Sequence, residues 1–445
     1  MFENIELHIF KNAGSYYVFD VRNFTILKVG PLDAFILMQI KNRSLKEIIA
    51  AIHHEIHHKV EKYYFKWSEW LSKDYFSTKN LSLTSLPAFN RVVIILASGC
   101  NLGCHYCFEK DVTIYNNPVL MKQKTAEDVL NWFFTNQQGP KAYIQLYGGE
   151  PLLNWDVFMF VIERAEEIAS AKKVNLIKYV ITNGTFLDSD KISWLNKHDV
   201  KVQVSVDGDE ETHNRFRVYK NGDPSFQVIK PNIDLLCKTN IDMNIRAVLT
   251  RKNINPSHII NNLRTLGTNH VSFEVVATEI PEAKLTLGDW SVLVKNYKSY
   301  INNDELDWYK LPDELQKTIT HICNRDKAFF GCGAGISELT IDPYGNIYEC
   351  ERMFKPPVSN IYEGKNIEQL GITFSKQVDK RSKCKDCWAR YVCGGGCKHL
   401  FLTYNKKDEP FKEYCEIKKL LIEAAIIKID KIKIKNRKKI ENVFA

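Results

Sequence analysis

Ser98-Gly-Cys-Asn-Leu-Gly-Cys-His-Tyr-Cys-Phe108 follows directly on the apolar, strand-like run Val92-Val-Ile-Ile-Leu-Ala97. Cys100, Cys104 and Cys107 therefore share one short loop at a strand end, a spacing that makes a three-thiolate cage. A four-iron, four-sulfur (4Fe–4S) cluster needs four ligands, so three cysteines leave one iron open to a small molecule. A zinc site would want a second Cys/His pair near the loop, and His105 lies inside the loop rather than after it. A disulfide reading is weaker still, because Met1-Phe-Glu-Asn-Ile-Glu-Leu-His8 lacks the basic region and apolar core of an export signal. Twelve cysteines in such a chain point to reduced thiolates that hold metal, and to a cytoplasmic location.

The loop resembles the cluster loop of radical S-adenosylmethionine (radical SAM) enzymes, in which the open iron is chelated by the amino and carboxylate groups of the methionine moiety. Tyr143-Ile-Gln-Leu-Tyr-Gly-Gly-Glu-Pro-Leu-Leu153 reads as a strand ending in two glycines and an acid. Glycines let backbone approach a ligand closely, and a carboxylate can accept bonds from an ammonium. In the family this run grips the methionine amino group, which the resemblance maps onto Gly148, Gly149 and Glu150; alone, it would read as an ordinary turn. Lys178–Thr185, Val202–Gly208, Met243–Thr250 and Val271–Val276 are further apolar runs separated by helical patterns. Six such strands suggest an α/β fold, a partial (β/α)6 TIM-type radical SAM barrel with its active site at the carboxyl ends of the strands. The resemblance places Tyr106 among the cofactor contacts, Ser205 and Asp207 near the ribose, and Arg217 at the methionine carboxylate, with Arg246 a second candidate. A surface ion pair is the plain alternative for each arginine.

The last third carries most of the remaining cysteines. Cys332-Gly-Ala-Gly335 leads to Ile341-Asp-Pro-Tyr-Gly-Asn-Ile-Tyr-Glu-Cys350, a hairpin with its turn at Pro343–Asn346; Cys384, Cys387, Cys393, Cys397 and Cys415 follow. This order resembles the SPASM domain of peptide-modifying radical enzymes. The resemblance implies two auxiliary clusters, so three 4Fe–4S clusters in all. Cys384, Cys387, Cys393 and Cys415 would hold the outer one, and Cys397 would reach back to join Cys332 and Cys350 on the inner one. Cys323 is the candidate for the inner cluster's fourth ligand, against a buried apolar cysteine or a site left open for a substrate thiolate. Cys237, in a helical pattern, reads as core filler.

Residues 1–85 form a different unit: short strands at Ile5–Phe10, Ser15–Val21 and Thr25–Val29, then helical patterns from Pro31, Ser44 and Lys62, with Ser44-Leu-Lys-Glu47 a capping box. This resembles the winged-helix-like element that binds leader peptides by adding them as an extra strand to a sheet edge. His54-Glu-Ile-His-His58 satisfies the HExxH pattern of zinc peptidases, but a third ligand is missing, and Ile49, Ile52, Ile56 and Val60 read as the apolar face of a helix covering the small sheet. Three domains are expected: 1–85 for leader recognition, 86–310 for the barrel, and 311–445 for the auxiliary clusters and a basic tail. No apolar run reaches membrane-spanning length. The formal net charge of +8 comes partly from Lys428–Lys439, read as a solvated helix or tail rather than a nucleic-acid site.

The resemblance implies an enzyme. A reduced cluster would cleave S-adenosylmethionine to a 5′-deoxyadenosyl radical, fed by flavodoxin or ferredoxin, and the auxiliary clusters would accept an electron from the substrate radical. The expected reaction is thioether formation in a ribosomal precursor peptide, as in sactipeptides and ranthipeptides. A carbon–carbon crosslink is the runner-up. Anaerobic sulfatase maturation ranks third, because that family lacks the leader-binding unit. A cluster-bearing scaffold would need neither the Gly-Gly-Glu run nor strand-end arginines.

Overall fold

A computed structural model describes residues 6–72, 86–108, 118–268, 270–302, 311–354, 356–370 and 376–435. Its centre is a nine-stranded sheet. Six strands run parallel and lie side by side in chain order: β4 (Arg91–Ala97), β5 (Lys141–Gly148), β6 (Asn175–Thr182), β7 (Val200–Ser205), β8 (Met243–Leu249) and β9 (Val271–Val275). Helices lie between them in sequence, including Gln123–Asn136, Trp155–Lys172 and Phe226–Leu236. Parallel strands covered on both faces read as unbroken apolar runs; β4 does so. In β5, β7 and β8 buried residues such as Ile144, Val202 and Ile245 alternate with half-exposed ones such as Gln145, Gln203 and Asn244. The alternation arises because only one face meets helices and the other lines a cavity.

The C-terminal hairpin forms where expected, with β10 (Glu338–Ile341) antiparallel to β11 (Asn346–Tyr348). Asp342 sets the turn, its Oδ1 accepting from Tyr344 N and Asn346 N at 2.8 and 2.9 Å. The sequence does not show that β10 also pairs in parallel with β4, Glu338 opposite Arg91, so that the hairpin and β12 (Ser359–Asn360) extend the barrel sheet.

The N-terminal unit is an antiparallel sheet, β1 (Leu7–Asn12), β2 (Ser15–Asp20) and β3 (Ile26–Val29), followed by helices Pro31–Gln39, Leu45–Ile49 and His57–Ser72. The Ser44 capping box forms, with Glu47 Oε2 accepting from Ser44 N at 2.7 Å. One sheet face buries Val18 against Ile36, Ile48, Val60, Trp67 and Leu71. The other, through Tyr17 and Phe19, joins the main core. His8 stacks on Trp388 with centroids 3.6 Å apart and 4° between planes, and Arg390 pairs with Glu6 at 2.5 Å.

Three expectations are corrected. The HExxH stretch is not one helix: His54–Ile56 is a separate 3-10 turn and Ile56 is 40% exposed, while Val60, with Ile49 and Ile52 packed beside it, does cover the sheet together with Ile48, Trp67 and Leu71. Cys237 is exposed rather than core, its thiol donating to Leu266 O at 3.3 Å. The basic stretch is no solvated tail as far as it is described: Lys412–Lys435 is one helix packed on Leu287–Ile301 and Asp313–Asn324, burying Ile426, Lys428 and Ile429. Residues 436–439 of that stretch lie outside the described residues, as does Ile5 of the first expected strand. No described helix is long and apolar enough to cross a membrane.

Candidate active site

The cysteine loop leaves β4 and is held from both sides. Ser98 Oγ accepts from Val119 N at 2.8 Å, and farther on Gly103 N and His105 N donate to Val218 O and Phe216 O at 2.7 and 2.9 Å. Beneath it runs the Gly-Gly-Glu turn, where Gly149 N bonds Ala97 O and Glu150 N bonds Gly99 O, both at 2.9 Å. A Cβ on Gly148 (φ +138°) would lie 2.1 Å from Ala97 O, and one on Gly149 2.3 Å from Gly99 O. The glycines are thus required for the two loops to touch, independently of any ligand.

Glu150 is held by three hydrogen bonds. Its carboxylate is fully buried and accepts from Leu152 N (3.1 Å), Thr182 Oγ1 (2.8 Å) and Asn183 N (2.8 Å), tying β5 to the end of β6. Burial pushes this carboxyl up to about 7, against the pull of those donors.

Tyr106, Asp207 and Arg217 come together. Tyr106 Oη donates to Asp207 Oδ2, Val248 N donates to Asp207 Oδ1 at 3.0 Å, and the Arg217 guanidinium lies 5.4 Å from the centre of the Tyr106 ring. Arg217 Nε approaches Asp207 Oδ2 at 3.1 Å but off the hydrogen-bonding direction, so this buried donor is left without a hydrogen bond. Burial drives the Tyr106 phenol well above its usual value. Asp207 is 1% exposed and acts as a joint between the cysteine loop, β8 and the Arg217 segment; Ser205, at the end of β7, is half-exposed. Sequence reasoning missed His213, buried beneath this joint with Nε2 2.9 Å from Ser225 Oγ; burial lowers it to about 4.

Arg246 is elsewhere. It lines a cavity of about 600 Å³ walled by β6–β9 and by Arg352, Cys397, His399 and Tyr414 of the C-terminal block. Its Nη2 bonds Glu274 Oε2 at 2.7 Å, and Arg352 Nη2 bonds both Glu274 oxygens at 2.6 and 2.8 Å. Burial raises Glu274, but the two arginines outweigh it and hold the carboxyl at about 2.

The C-terminal thiols fall into two neighbourhoods. Cys384 and Cys415 are each pushed up to about 11, first by burial and then by the proximity of Cys393 and Cys387; Cys384 also acts on Cys415. Cys397 acts on both Cys332 and Cys350. What draws them together is Gly394-Gly395-Gly396, all at positive φ: a Cβ on Gly394 would lie 2.1 Å from Phe330 O, and Gly331 and Gly396 touch backbone to backbone. The run Cys393-Gly-Gly-Gly-Cys397 was the legible signal for this contact. Cys323 sits near the end of helix Asp313–Asn324, part-buried against the main core.

The donor set suits iron–sulfur clusters. Backbone N–H groups point at Cys100 (Leu102, 3.4 Å) and Cys350 (Arg352, 3.4 Å), and likewise at Cys332, Cys393 and Cys397 from Ala334, Gly395 and Leu400. Such bonds to sulfur tune clusters, and buried neighbouring thiols give up their protons readily only to a metal. Among the described residues no three His, Cys, Asp or Glu side chains converge tightly enough to form a metal site by themselves.

Residues 94–263 match the radical SAM superfamily. A serine-type anaerobic sulfatase-maturating enzyme of Bacteroides thetaiotaomicron is 24% identical over 354 residues, 71% of this chain and 84% of that enzyme. A cysteine-type enzyme of Clostridium novyi is 25% identical over 351 residues, 72% and 88% of the two chains. The structure of native anSMEcpe with bound AdoMet and Cp18Cys peptide superposes with a TM-score of 0.64 at 20% identity, covering 78% of this chain and 99% of that one; the radical SAM fold is shared.

Proposed function

We propose that the protein is a radical SAM maturase that oxidises a side chain of a protein or peptide. The observation that carries this is the seating of the three-cysteine loop on the Gly148-Gly149 turn at the C-terminal end of the barrel strands. Cys100, Cys104 and Cys107 would hold a 4Fe–4S cluster whose open iron binds S-adenosylmethionine and whose electron cleaves it to methionine and the radical that abstracts hydrogen. The Gly148 and Gly149 backbone would orient its methionine amino group, Arg217 its carboxylate, and Ser205 its ribose. Cys384, Cys387, Cys393 and Cys415 would hold one auxiliary cluster, and Cys332, Cys350 and Cys397, with Cys323 as fourth candidate, the other.

Sulfatase-type maturation is the reading better supported by the relatives, which reverses its place in the sequence ranking. Thioether formation in a leader-bearing precursor is the second reading. In its favour is the β1–β3 unit: the anSMEcpe chain is matched over 99% of its length by 78% of this one, which leaves about a fifth of this chain unmatched. Under this reading flavodoxin or ferredoxin supplies electrons and the leader binds the β1–β3 sheet.

The test is anaerobic reconstitution followed by incubation with a synthetic Cys-containing sulfatase segment and, separately, a Cys-rich peptide encoded beside the gene. Tandem mass spectra that place the change on one residue support sulfatase-type chemistry. Fragments that remain bridged between two residues support the thioether. No S-adenosylmethionine cleavage with any substrate would sink both.

A further inference from the structure

Resting on the maturase reading, we infer that the cavity receives a carboxylate of the substrate peptide, an Asp or Glu side chain close to the modified residue, and that Arg246 selects it. Two guanidiniums share the Glu274 carboxylate, and Arg352 Nε also lies 3.8 Å from Glu351 Oε1, so Arg246 is the less fully paired of the two at the cavity wall. Arg352 already engages both Glu274 oxygens, whereas Arg246 touches only one of them with a single nitrogen. Arg246 Nε is buried without a hydrogen-bond partner, while the side chain as a whole is 36% exposed.

Further orphans belong to side chains that line the same cavity: the donor Trp290 Nε1, the acceptor Glu314 Oε2, and His399 Nδ1. His399 Nδ1 is buried and unpartnered, and its ring lies 6.0 Å from Phe108, the residue after Cys107. Leaving a buried donor unsatisfied costs on the order of 1–3 kcal/mol, so orphaned atoms on one cavity wall point to a ligand that satisfies them. A carboxylate suits a guanidinium fork best, because two parallel charge-assisted bonds form at once. On the strand wall Gln203, Asn244 and Ser272 are uncharged and Asp242 is paired with Lys201 at 2.6 Å, while Asp313 and Glu314 line the cavity together with Lys317.

The methionine carboxylate belongs with Arg217, which is tied to Tyr106 inside the cysteine loop. Arg246 is instead joined through Glu274 to Arg352, on the wall that the C-terminal block completes. A substrate acid at Arg246 would set which residue of the peptide faces the radical.

Reconstituted holoenzyme with S-adenosylmethionine is titrated with two acetylated, amidated hexapeptides, Gly-Cys-Ala-Asp-Ala-Gly and its Asn counterpart, carrying the same fluorophore. The Asp peptide should bind at least about tenfold tighter, as expected for a charge-assisted fork. Arg246→Gln should abolish that preference, and Arg246→Lys should keep part of it, since an ammonium retains charge but not the fork. The lysine variant also guards against a glutamine variant that fails to fold. S-adenosylmethionine affinity, measured in parallel, should change less than about twofold. Equal binding of the two peptides by the unaltered enzyme, or a preference that survives Arg246→Gln, overturns the inference. So does loss of S-adenosylmethionine affinity in Arg246→Gln, which would move Arg246 to the methionine carboxylate. None of these outcomes touches the maturase reading, which stands or falls on cleavage at the three-cysteine loop.

Discussion

The loop Ser98–Phe108 and the block Cys332–Cys415 both gather thiols, but they do so by opposite means. The first needs one turn at the end of one strand: its three cysteines are neighbours in sequence, and β4 with the Gly148-Gly149 turn merely supports them. The second brings Cys332 and Cys350 to Cys397 across a hairpin, a sheet edge and a run of three glycines at positive φ. A local motif survives damage elsewhere, whereas a long-range one depends on every close backbone contact between its parts. The two regions should therefore fail independently and for different reasons.

The largest effect expected is at the local motif. Replacing Cys100, Cys104 and Cys107 together by Ala should abolish S-adenosylmethionine cleavage and remove about four of about twelve irons from anaerobically reconstituted protein, as thiolate ligation of three clusters implies. Iron and cleavage assays check this, and residual cleavage contradicts it.

Gly396→Ala attacks the other region. Its Cβ would lie 2.5 Å from Phe401 and 2.7 Å from Tyr414, at φ +83°. Overpacking of this kind costs roughly 1–3 kcal/mol, and the left-handed backbone adds strain. Auxiliary iron should fall while cleavage without peptide persists. Loss of both together would break the contrast drawn here.

A subtler probe is Glu150, which underlies the local motif. Its carboxyl is raised from 4.5 to about 7 by burial, so the folded state binds a proton more tightly than the unfolded one. The stability this contributes is fully present below 4.5 and is lost as pH rises through about 7. Between pH 6 and pH 8 the unaltered apoprotein should lose about 1.4 kcal/mol that the uncharged Glu150→Gln variant does not lose. Urea melts at the two pH values measure it; parallel slopes for the two proteins would show that Glu150 stays ionised.

Smallest is the contact between the N-terminal sheet and the segment around Trp388. His8→Ala removes the stack on Trp388 and the 2.8 Å bond to Glu423. It should cost about 1 kcal/mol and leave cleavage untouched. A thermal melt checks the first and product analysis the second.

Much of the architecture was legible because it is written in local patterns. The six parallel strands could be read from apolar runs between helical stretches, the hairpin from Pro343-Tyr-Gly-Asn346, and the helix start at Ser44 from its capping box. HExxH misled because its period was read as one helix, while the chain breaks between Ile49 and His54. Cys237 misled because a cysteine's tendency to be buried is an average, and this one closes a helix at the surface.

By itself, then, the sequence determined the six strand segments of the barrel and the loop that carries three thiols, since both follow from periodicity and spacing within short windows. Only the tertiary structure decided which arginine faces which partner. Arg217 and Arg246 look alike as strand-end cations, yet one is captured by Tyr106 and Asp207 and the other by Glu274, on a neighbouring strand. It also turned the Glu150 carboxylate inward and joined β10 to β4. Those outcomes depend on which unsatisfied buried groups meet across the folded chain, and that pairing is set by long-range packing rather than by any local pattern.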